Sequence, residues 1–121
     1  MDNTFVTLSI DMKKYRLRLH KATYRLIGSP KYIQLLVNPE KKTIAVRAVK
    51  KGTKDNQAYR INTVQMENGH SYEICSRSLV EKLWELTEGL DTGCTYRMNG
   101  KVYLGLNTAV FPLNSMRRVE R

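Results

Sequence analysis

Short runs in which apolar and polar residues alternate occupy most of the chain, a pattern typical of β-strands with one buried face. These runs lie at residues 5–10, 15–19, 32–37, 43–49, 59–64, 71–75, 94–98, 101–106 and 109–113. In the second run, Leu17 and Leu19 are expected to face the core, and Arg16 and Arg18 are then directed to solvent. In the last run, Pro112 predicts an edge strand, because proline cannot donate a hydrogen bond to a neighbouring strand.

Two segments have the apolar spacing and the end signals of helices. The first covers residues 20–27, and Gly28 is placed to end it. Its apolar side consists of Ala22, Leu26 and Ile27. The second begins at a Ser-x-x-Glu capping box, residues 78–81, and runs to about Glu88. Its apolar stripe consists of Leu79, Val80, Leu83, Trp84 and either Leu86 or Thr87, so the tryptophan is expected in the core.

The turns between these elements predict the fold class. Asn99-Gly100 is typical of a tight β-hairpin turn, and residues 38–42 and 67–70 form further polar turns. The order strand-helix-strand-turn-strand then occurs twice, at 15–49 and 71–106, on either side of a loop at 50–57 without apolar residues. This order allows a duplicated unit, although it is also common in unrelated domains. We predict a single α+β domain over residues 1–121, with two helices packed on an antiparallel sheet or sheets of short strands.

The positive charge is concentrated in the first half of the chain. The sequence has 21 Lys and Arg against 11 Asp and Glu, a formal net charge of +10. Residues 11–60 hold fourteen basic and three acidic residues, whereas residues 61–121 hold seven of each. Such an imbalance favours a polyanionic partner, of which nucleic acid is the first candidate. The alternative is that surface lysines are scattered over both faces without a specific role.

Motifs for catalysis, metals and membranes are missing from the sequence. No G-x-S-x-G, H-E-x-x-H, Walker A or G-x-G-x-x-G pattern occurs, and His20 and His70 are isolated. Cys75 and Cys94 lack metal-ligand spacing and are expected to be two buried free thiols. We therefore expect no enzyme, no cofactor and no metal site. Without an apolar run of about 20 residues or a signal-peptide pattern, a cytoplasmic protein with no membrane partner is expected.

The basic residues of the first half are spaced so that they share faces. Lys14, Arg16 and Arg18 alternate along a strand, and Lys21 and Arg25 are four apart on a helix. Such rows suit phosphates, and Arg adds bidentate hydrogen bonds. The candidate nucleic-acid-binding residues are Lys13, Lys14, Arg16, Arg18, Lys21 and Arg25, with Lys50, Lys51 and Lys54 as a loop clamp. The alternative is a strand edge whose cations only guard against aggregation.

Four tyrosines lie among these basic residues. Tyr15, Tyr24, Tyr32 and Tyr59 offer rings of the kind that single-strand-binding proteins stack on bases. Tyrosine is, however, also a common strand residue, whose ring is buried while its hydroxyl reaches water. We therefore expect these four rings to pack in the core or the hairpin rather than against bases.

Four successive segments resemble a known DNA-binding module. They are a basic strand at 16–19, a short helix ending in glycine at 21–28, and hairpin strands at 32–37 and 43–47. Over residues 15–50 this arrangement resembles the looped-hinge-helix, or swapped-hairpin, module of AbrB-type transition-state regulators. The family's proline at the helix start is replaced by His20 and Lys21. The resemblance implies a dimer, or a monomer if the chain is duplicated, with DNA contacts at Lys13, Lys14, Arg16, Arg18, Lys21 and Arg25.

These observations predict a non-enzymatic nucleic-acid-binding protein, specifically a DNA-binding regulator of a prokaryote or its mobile element. An alternative is an inhibitor of a host nucleoprotein enzyme, similar to anti-CRISPR proteins, because an acidic helix face at Glu81, Glu85 and Glu88 accompanies the basic half. A third is a structural or assembly protein that pairs with an acidic protein. DNA, RNA and a nucleoprotein all stay open as partners, as do the recognised sequence and the choice between monomer and homodimer.

Overall fold

The computed structural model describes residues 5–50, 58–69 and 71–119. Lys51, Lys54 and His70 lie outside these residues, and so does all but the first residue of the predicted loop at 50–57. The described strands are β1 (Phe5–Asp11), β2 (Arg16–His20), β3 (Tyr32–Asn38), β4 (Thr43–Val49), β5 (Tyr59–Arg60), β6 (Ser71–Cys75), β7 (Thr95–Tyr103), β8 (Thr108–Pro112) and β9 (Arg117–Arg118). The described helices are α1 (Lys21–Leu26), α2 (Thr63–Asn68) and α3 (Arg77–Leu86), with 3₁₀ turns at Leu104–Leu106 and Leu113–Ser115.

The strands form one curled antiparallel sheet. Its order is β5-β3-β4-β8-β7-β1-β2-β6, and β9 pairs with β7. The two end strands, β5 and β6, lie close to each other. The hydroxyl of Tyr72 on β6 donates a hydrogen bond to the carbonyl oxygen of Arg60 on β5, at 3.0 Å. The predicted α+β class with an antiparallel sheet is confirmed, with three helices rather than two among the described residues.

The inner face of the curled sheet carries the hydrophobic core. Successive side chains of a strand point to opposite faces, and the alternation seen in the sequence separates them as expected. Leu17 and Leu19 of β2 are buried, while Arg18 between them is exposed. The other strands contribute Val6, Leu8, Ile10, Ile33, Ile44, Val46, Ile74, Met98, Val102, Ala109 and Phe111. The three helices add Tyr24, Met66, Val80 and Leu83 to this core.

Strand β7 runs without a break through Asn99 and Gly100, so the hairpin predicted at these residues is wrong. Gly100 faces inward and pairs with Val6 of β1. A Cβ at this position would overlap the carbonyl oxygen of Val110 and lie 2.5 Å from Cδ1 of Phe111. The glycine is therefore required by the close approach of β8 rather than by a turn. The chain reverses instead between β7 and β8, where Asn107 adopts the left-handed conformation (φ 47°).

Strand β8 lies between β4 and β7, so the edge position predicted from Pro112 is also wrong. Pro112 is the last residue of β8, opposite Thr43, and the strand's pairing with β4 ends there. The order β6-α3-β7-β8 parallels β2-α1-β3-β4. Because the hairpin predicted within 71–106 is absent, the structure does not confirm a duplicated unit.

The strand predicted at 59–64 is confirmed only at Tyr59–Arg60, and helix α2 replaces its last two residues and part of the turn predicted at 67–70. Thr63 and Val64 are β-branched and favour a strand locally. The side chain of Asn62, however, accepts a hydrogen bond from the N–H of Gln65 (3.0 Å) and starts a helix that buries Met66. A cap and one buried side chain thus outweigh the strand propensity.

The apolar side predicted for helix α1 is confirmed in part. Thr23, Tyr24 and Ile27 are buried, whereas Ala22 is exposed and Leu26 is half-buried. Tyr24 and Ile27 are three residues apart and share a helix face, and this face packs on β1 and β2. As predicted, Gly28 follows the end of the helix, with a positive φ of 100°.

Helix α3 starts two residues before the predicted position, because its cap is Ser76 rather than Ser78. The hydroxyl oxygen of Ser76 accepts a hydrogen bond from the N–H of Leu79 at 3.3 Å, so the capping box predicted at Ser78 is wrong. The core position predicted for Trp84 is wrong as well. This side chain is 45% exposed, and its Nε1–H donates to the carbonyl oxygen of Leu90 at 3.2 Å.

The assignment of the cap can be tested with two neighbouring serines. Ser76→Ala is expected to lower the free energy of unfolding by about 1 kcal/mol, because the N–H of Leu79 loses its acceptor. Ser78→Ala is the matched control and is expected to change it by only a few tenths, since alanine is a better helix former. Urea unfolding followed by circular dichroism measures both. Equal losses, or a larger loss for Ser78→Ala, would contradict the assignment.

Candidate nucleic-acid interface

The outer face of β2, β1 and β7 carries two neighbouring rows of polar side chains. The register pairs Ser9 with Arg18 on one side and with Arg97 on the other. It likewise pairs Asp11 with Arg16 and with Thr95. Paired residues of adjacent strands project from the same face, so the two rows form one surface. Ser9 is only 6% exposed, so it forms the floor of this surface between Arg18 and Arg97.

Two adjoining cavities lie on this surface. One has a volume of about 280 Å³ and the other of about 710 Å³, and they share Asp11, Lys14, Thr95 and Val119. Together they define the basic groove, whose cations are Lys13, Lys14, Arg16, Arg18, Arg97 and Arg118. Two carboxylates, Asp11 and Glu73, also line it, which leaves a formal net charge of +4.

The two carboxylates of the basic groove hold its cations in place. Glu73 of β6 accepts hydrogen bonds from both arginines of β2, at 3.3 Å from Nη1 of Arg16 and 3.0 Å from Nη2 of Arg18. Asp11 accepts the backbone N–H groups of Lys13 and Lys14, each at 3.1 Å, and so shapes the β1–β2 turn. One carboxylate cannot neutralise two guanidinium groups, so the pairing orients Arg16 and Arg18 and leaves them net positive. Both arginine side chains stay about half exposed, at 42% and 52%.

The structure divides the candidate residues predicted from the sequence. Lys13, Lys14, Arg16 and Arg18 come together in the basic groove. Lys21 and Arg25 contact α2 instead, where Lys21 Nζ donates to the carbonyl oxygen of Glu67 (2.6 Å) and Arg25 Nη2 lies 3.6 Å from its carboxylate. Lys50 is exposed just after β4 and does not line the groove. Lys51 and Lys54 lie outside the described residues.

Two cations of the basic groove were not among the predicted candidates. Arg97 and Arg118 belong to the second half of the chain, whose net charge of zero does not indicate a basic site. The false hairpin at Asn99 and Gly100 also concealed Arg97, because it divided β7 into two short strands. A continuous β7 places Arg97 on the outer face.

A histidine lies at the edge of the same surface. His20 Nε2 and the hydroxyl of Ser9 are 3.1 Å apart and share a hydrogen bond. Burial lowers the pKa of His20 below its ordinary value of 6.5, and the positive charges of Arg97 and Arg18 lower it further. The imidazole is therefore neutral at neutral pH and adds no positive charge to the groove.

The lowered pKa of His20 predicts a stability that depends on pH. Above pH 6.5 the folded and unfolded chains both hold His20 neutral. As the pH falls below that value, the unfolded chain binds the proton that the folded chain resists, so the free energy of unfolding decreases. The free energy of unfolding, measured with urea, is expected to decrease more between about pH 7.5 and about pH 5.5 in the natural chain than in His20→Gln, whose side chain does not titrate. Equal decreases in the two proteins would contradict the prediction.

The tyrosines and cysteines near the basic residues have mostly structural positions. Tyr24 is buried, and Tyr15 and Tyr59 pack against the core, as expected for these rings. The guanidinium of Arg77 lies 5.2 Å from the centre of the Tyr15 ring. Both cysteines are free thiols, but the prediction that both are buried is wrong. Cys75 is exposed because it pairs with Arg16 and shares the outer face of the sheet.

No family model, curated protein or solved structure matches this chain. The resemblance of residues 15–50 to the AbrB-type module therefore stays a prediction. Among the described residues, no helix has both the length and the apolar character needed to cross a bilayer. Within the same part of the chain, no cluster of His, Cys, Asp and Glu is arranged to hold a metal ion.

Proposed function

We propose that this protein binds nucleic acid by its phosphate backbone, in the basic groove. The observation that carries the proposal is the row Arg18–Ser9–Arg97 across three adjacent strands. Two strand spacings, about 10 Å, separate the two arginine backbones. Both arginines and the small Ser9 line the cavity of about 280 Å³, which leaves room for a phosphate within reach of two guanidinium groups.

The charge of the basic groove supports a polyanion rather than a small acidic ligand. Six cations line two connected cavities, and the two carboxylates among them are already engaged with groove cations or their backbone. A ligand with several consecutive phosphates satisfies several of these cations at once. The DNA-binding regulator predicted from the sequence is one form of this proposal. Its interface keeps the predicted cations of β2 and the β1–β2 turn, and takes Arg97 and Arg118 in place of those of α1.

A pair of matched double variants tests the proposal. Arg18→Ala/Arg97→Ala removes two charges from the groove, whereas Lys31→Ala/Lys41→Ala removes two exposed charges beside β3 that do not line it. Fluorescence anisotropy with labelled random-sequence oligonucleotides, from about 50 to about 300 mM salt, measures affinity and its salt dependence. Losing two charge-assisted hydrogen bonds is expected to weaken binding about a hundredfold. The log–log salt slope is expected to become shallower by about 1.5.

The control pair decides whether the groove or only the net charge matters. Lys31→Ala/Lys41→Ala is expected to weaken binding no more than about threefold, through the general field of the protein. Equal losses in the two variants would show binding by overall charge alone and would refute the groove. The absence of binding by the natural chain at low salt would refute the proposed function as a whole.

A second candidate function is supported by the surroundings of Trp84. Its exposed ring lines a cavity of about 350 Å³ with Glu81 and Glu85, and Lys13 lines both this cavity and the basic groove. Exposed tryptophans are common anchors of protein interfaces. An inhibitor of a nucleoprotein enzyme would contact the protein at Trp84 and the nucleic acid in the groove. In that case, Trp84→Ala weakens binding to the nucleoprotein and leaves binding to free nucleic acid unchanged.

A further inference from the structure

An aromatic patch lies on the same outer face as the basic groove, at the other end of the β1–β7 pair. Phe5 of β1 is 76% exposed and pairs with Lys101 of β7. Tyr103, two residues further along β7, has its ring 5.7 Å from Nζ of Lys101. Phe5, Lys101 and Tyr103, together with Val110 and Pro112 of β8, line a cavity of about 260 Å³.

One line of side chains connects this patch to the basic groove. Residues 95, 97, 99, 101 and 103 of β7 alternate with the buried Tyr96, Met98, Gly100 and Val102, and so share the outer face. Arg97 and Tyr103 are six residues apart, a distance of about 20 Å along a strand. Asn99 lies between them and pairs with Thr7, so its amide adds a hydrogen-bond donor and an acceptor to the path. Along β7, the outer face thus presents the cations of the basic groove, then the amide of Asn99, and then the exposed rings.

We propose that the ligand of this face is a single-stranded nucleic acid, with its phosphates in the basic groove and its bases stacked on Phe5 and Tyr103. The inference rests on the proposed function and names its substrate class. Single-strand-binding proteins combine a cationic track for the backbone with aromatic side chains for the bases. In a duplex the bases are already stacked inside the helix, so a duplex presents phosphates to the groove but no base faces to the rings. Only a single-stranded nucleic acid, whose bases are free, can contact both the basic groove and the two rings.

The four tyrosines predicted to have structural positions do not form this stacking surface. Tyr24 is buried, and Tyr15 and Tyr59 pack against the core. Tyr32 is half-buried on β3, which β4 and β8 separate from β7. Phe5 and Tyr103 are distant in sequence and become neighbours only because β1 and β7 pair. The position of Lys101 between them places a cation next to both rings, where it can neutralise a phosphate that joins two stacked nucleotides.

The test compares a labelled oligothymidylate of about twelve nucleotides with a duplex of the same length. The natural chain is expected to bind the single strand at least about tenfold more tightly than the duplex, because stacking on a ring contributes about tenfold per base. Phe5→Ala/Tyr103→Ala is expected to lose about a hundredfold in affinity for the single strand. Its affinity for the duplex and its salt slope should not change, because stacking releases no counterions.

The matched control removes exposed apolar side chains elsewhere. Leu36→Ala/Val64→Ala alters β3 and α2, and is expected to leave the affinity for the single strand within about twofold. Circular dichroism checks that both double variants remain folded. Equal affinity of the natural chain for strand and duplex, or an unchanged affinity in Phe5→Ala/Tyr103→Ala, would overturn the inference. If Arg18→Ala/Arg97→Ala still loses affinity in that case, the groove stands and only the single-strand assignment fails.

Discussion

Replacing Gly100 with alanine is expected to lower the free energy of unfolding by about 3 kcal/mol, at the upper end of the range for overpacking a core. The new methyl group would overlap the carbonyl oxygen of Val110 and lie 2.5 Å from Cδ1 of Phe111. The Val110 carbonyl belongs to backbone that is paired with both β4 and β7, and the Phe111 ring is fully buried. Neither group can move without separating β7 from β8, so the strain cannot be relieved locally.

The matched control for this substitution is Gly105→Ala, in the 3₁₀ turn after β7. No atom beyond its chain neighbours lies within 4 Å of a Cβ built at this position. We expect the free energy of unfolding to change by no more than about 0.5 kcal/mol. Urea and thermal unfolding, followed by circular dichroism, measure both variants. A loss at Gly100 of about 1 kcal/mol or less would be typical of a glycine in an exposed turn, and would contradict a continuous β7.

Replacing Tyr24 with alanine is expected to lower the free energy of unfolding by about 4 kcal/mol, the usual loss when a large aromatic core residue is truncated. Tyr24 is only 1% exposed and holds α1 against the core beneath β1 and β2. Six residues form too short a helix to be stable alone. The loss of this ring is therefore expected to affect the whole helix as well as to leave a cavity.

The same substitution at Tyr103 provides the control, since it removes the same ring from a site that is 46% exposed. Tyr103→Ala is expected to change the free energy of unfolding by less than about 1 kcal/mol. Chemical unfolding measures the loss of stability in both Tyr24→Ala and Tyr103→Ala. Similar losses would mean that burial does not distinguish the two rings, and the stacking role of Tyr103 would then lose its basis. A stable Tyr103→Ala protein with weakened single-strand binding fits the proposed interface.

The candidate site could be predicted only in part, and the reason lies in strand pairing. Alternation along one strand was enough to place Arg16 and Arg18 on the outer face, because it depends only on neighbours in sequence. Lys21 and Arg25 have equally regular spacing, yet their contacts are with Glu67, forty or more positions away. Arg97 joins the groove because β7 pairs with β1. Local spacing carries no information about such partners.

The excess charge of the first half likewise has a different meaning in three dimensions. In sequence, residues 11–60 are strongly basic and residues 61–121 are neutral. In the structure, β2 of the first half lies between β1 and β6, and Glu73 of the second half sits between its two arginines. The interface is therefore built from both halves. Its net charge follows from which strands are neighbours rather than from the composition of either half.

The sequence by itself determined which side chains of most strands face the core, the end of α1 just before Gly28, and the α+β class with an antiparallel sheet. These features depend on periodicity and on backbone preference, which act over a few residues. The tertiary structure alone decided that Asn99 and Gly100 continue a strand, that residues 63–68 form a helix, and which cations share a groove. Gly100 shows the physical reason, because a glycine that permits a turn and a glycine that permits close packing are identical until β8 lies against it.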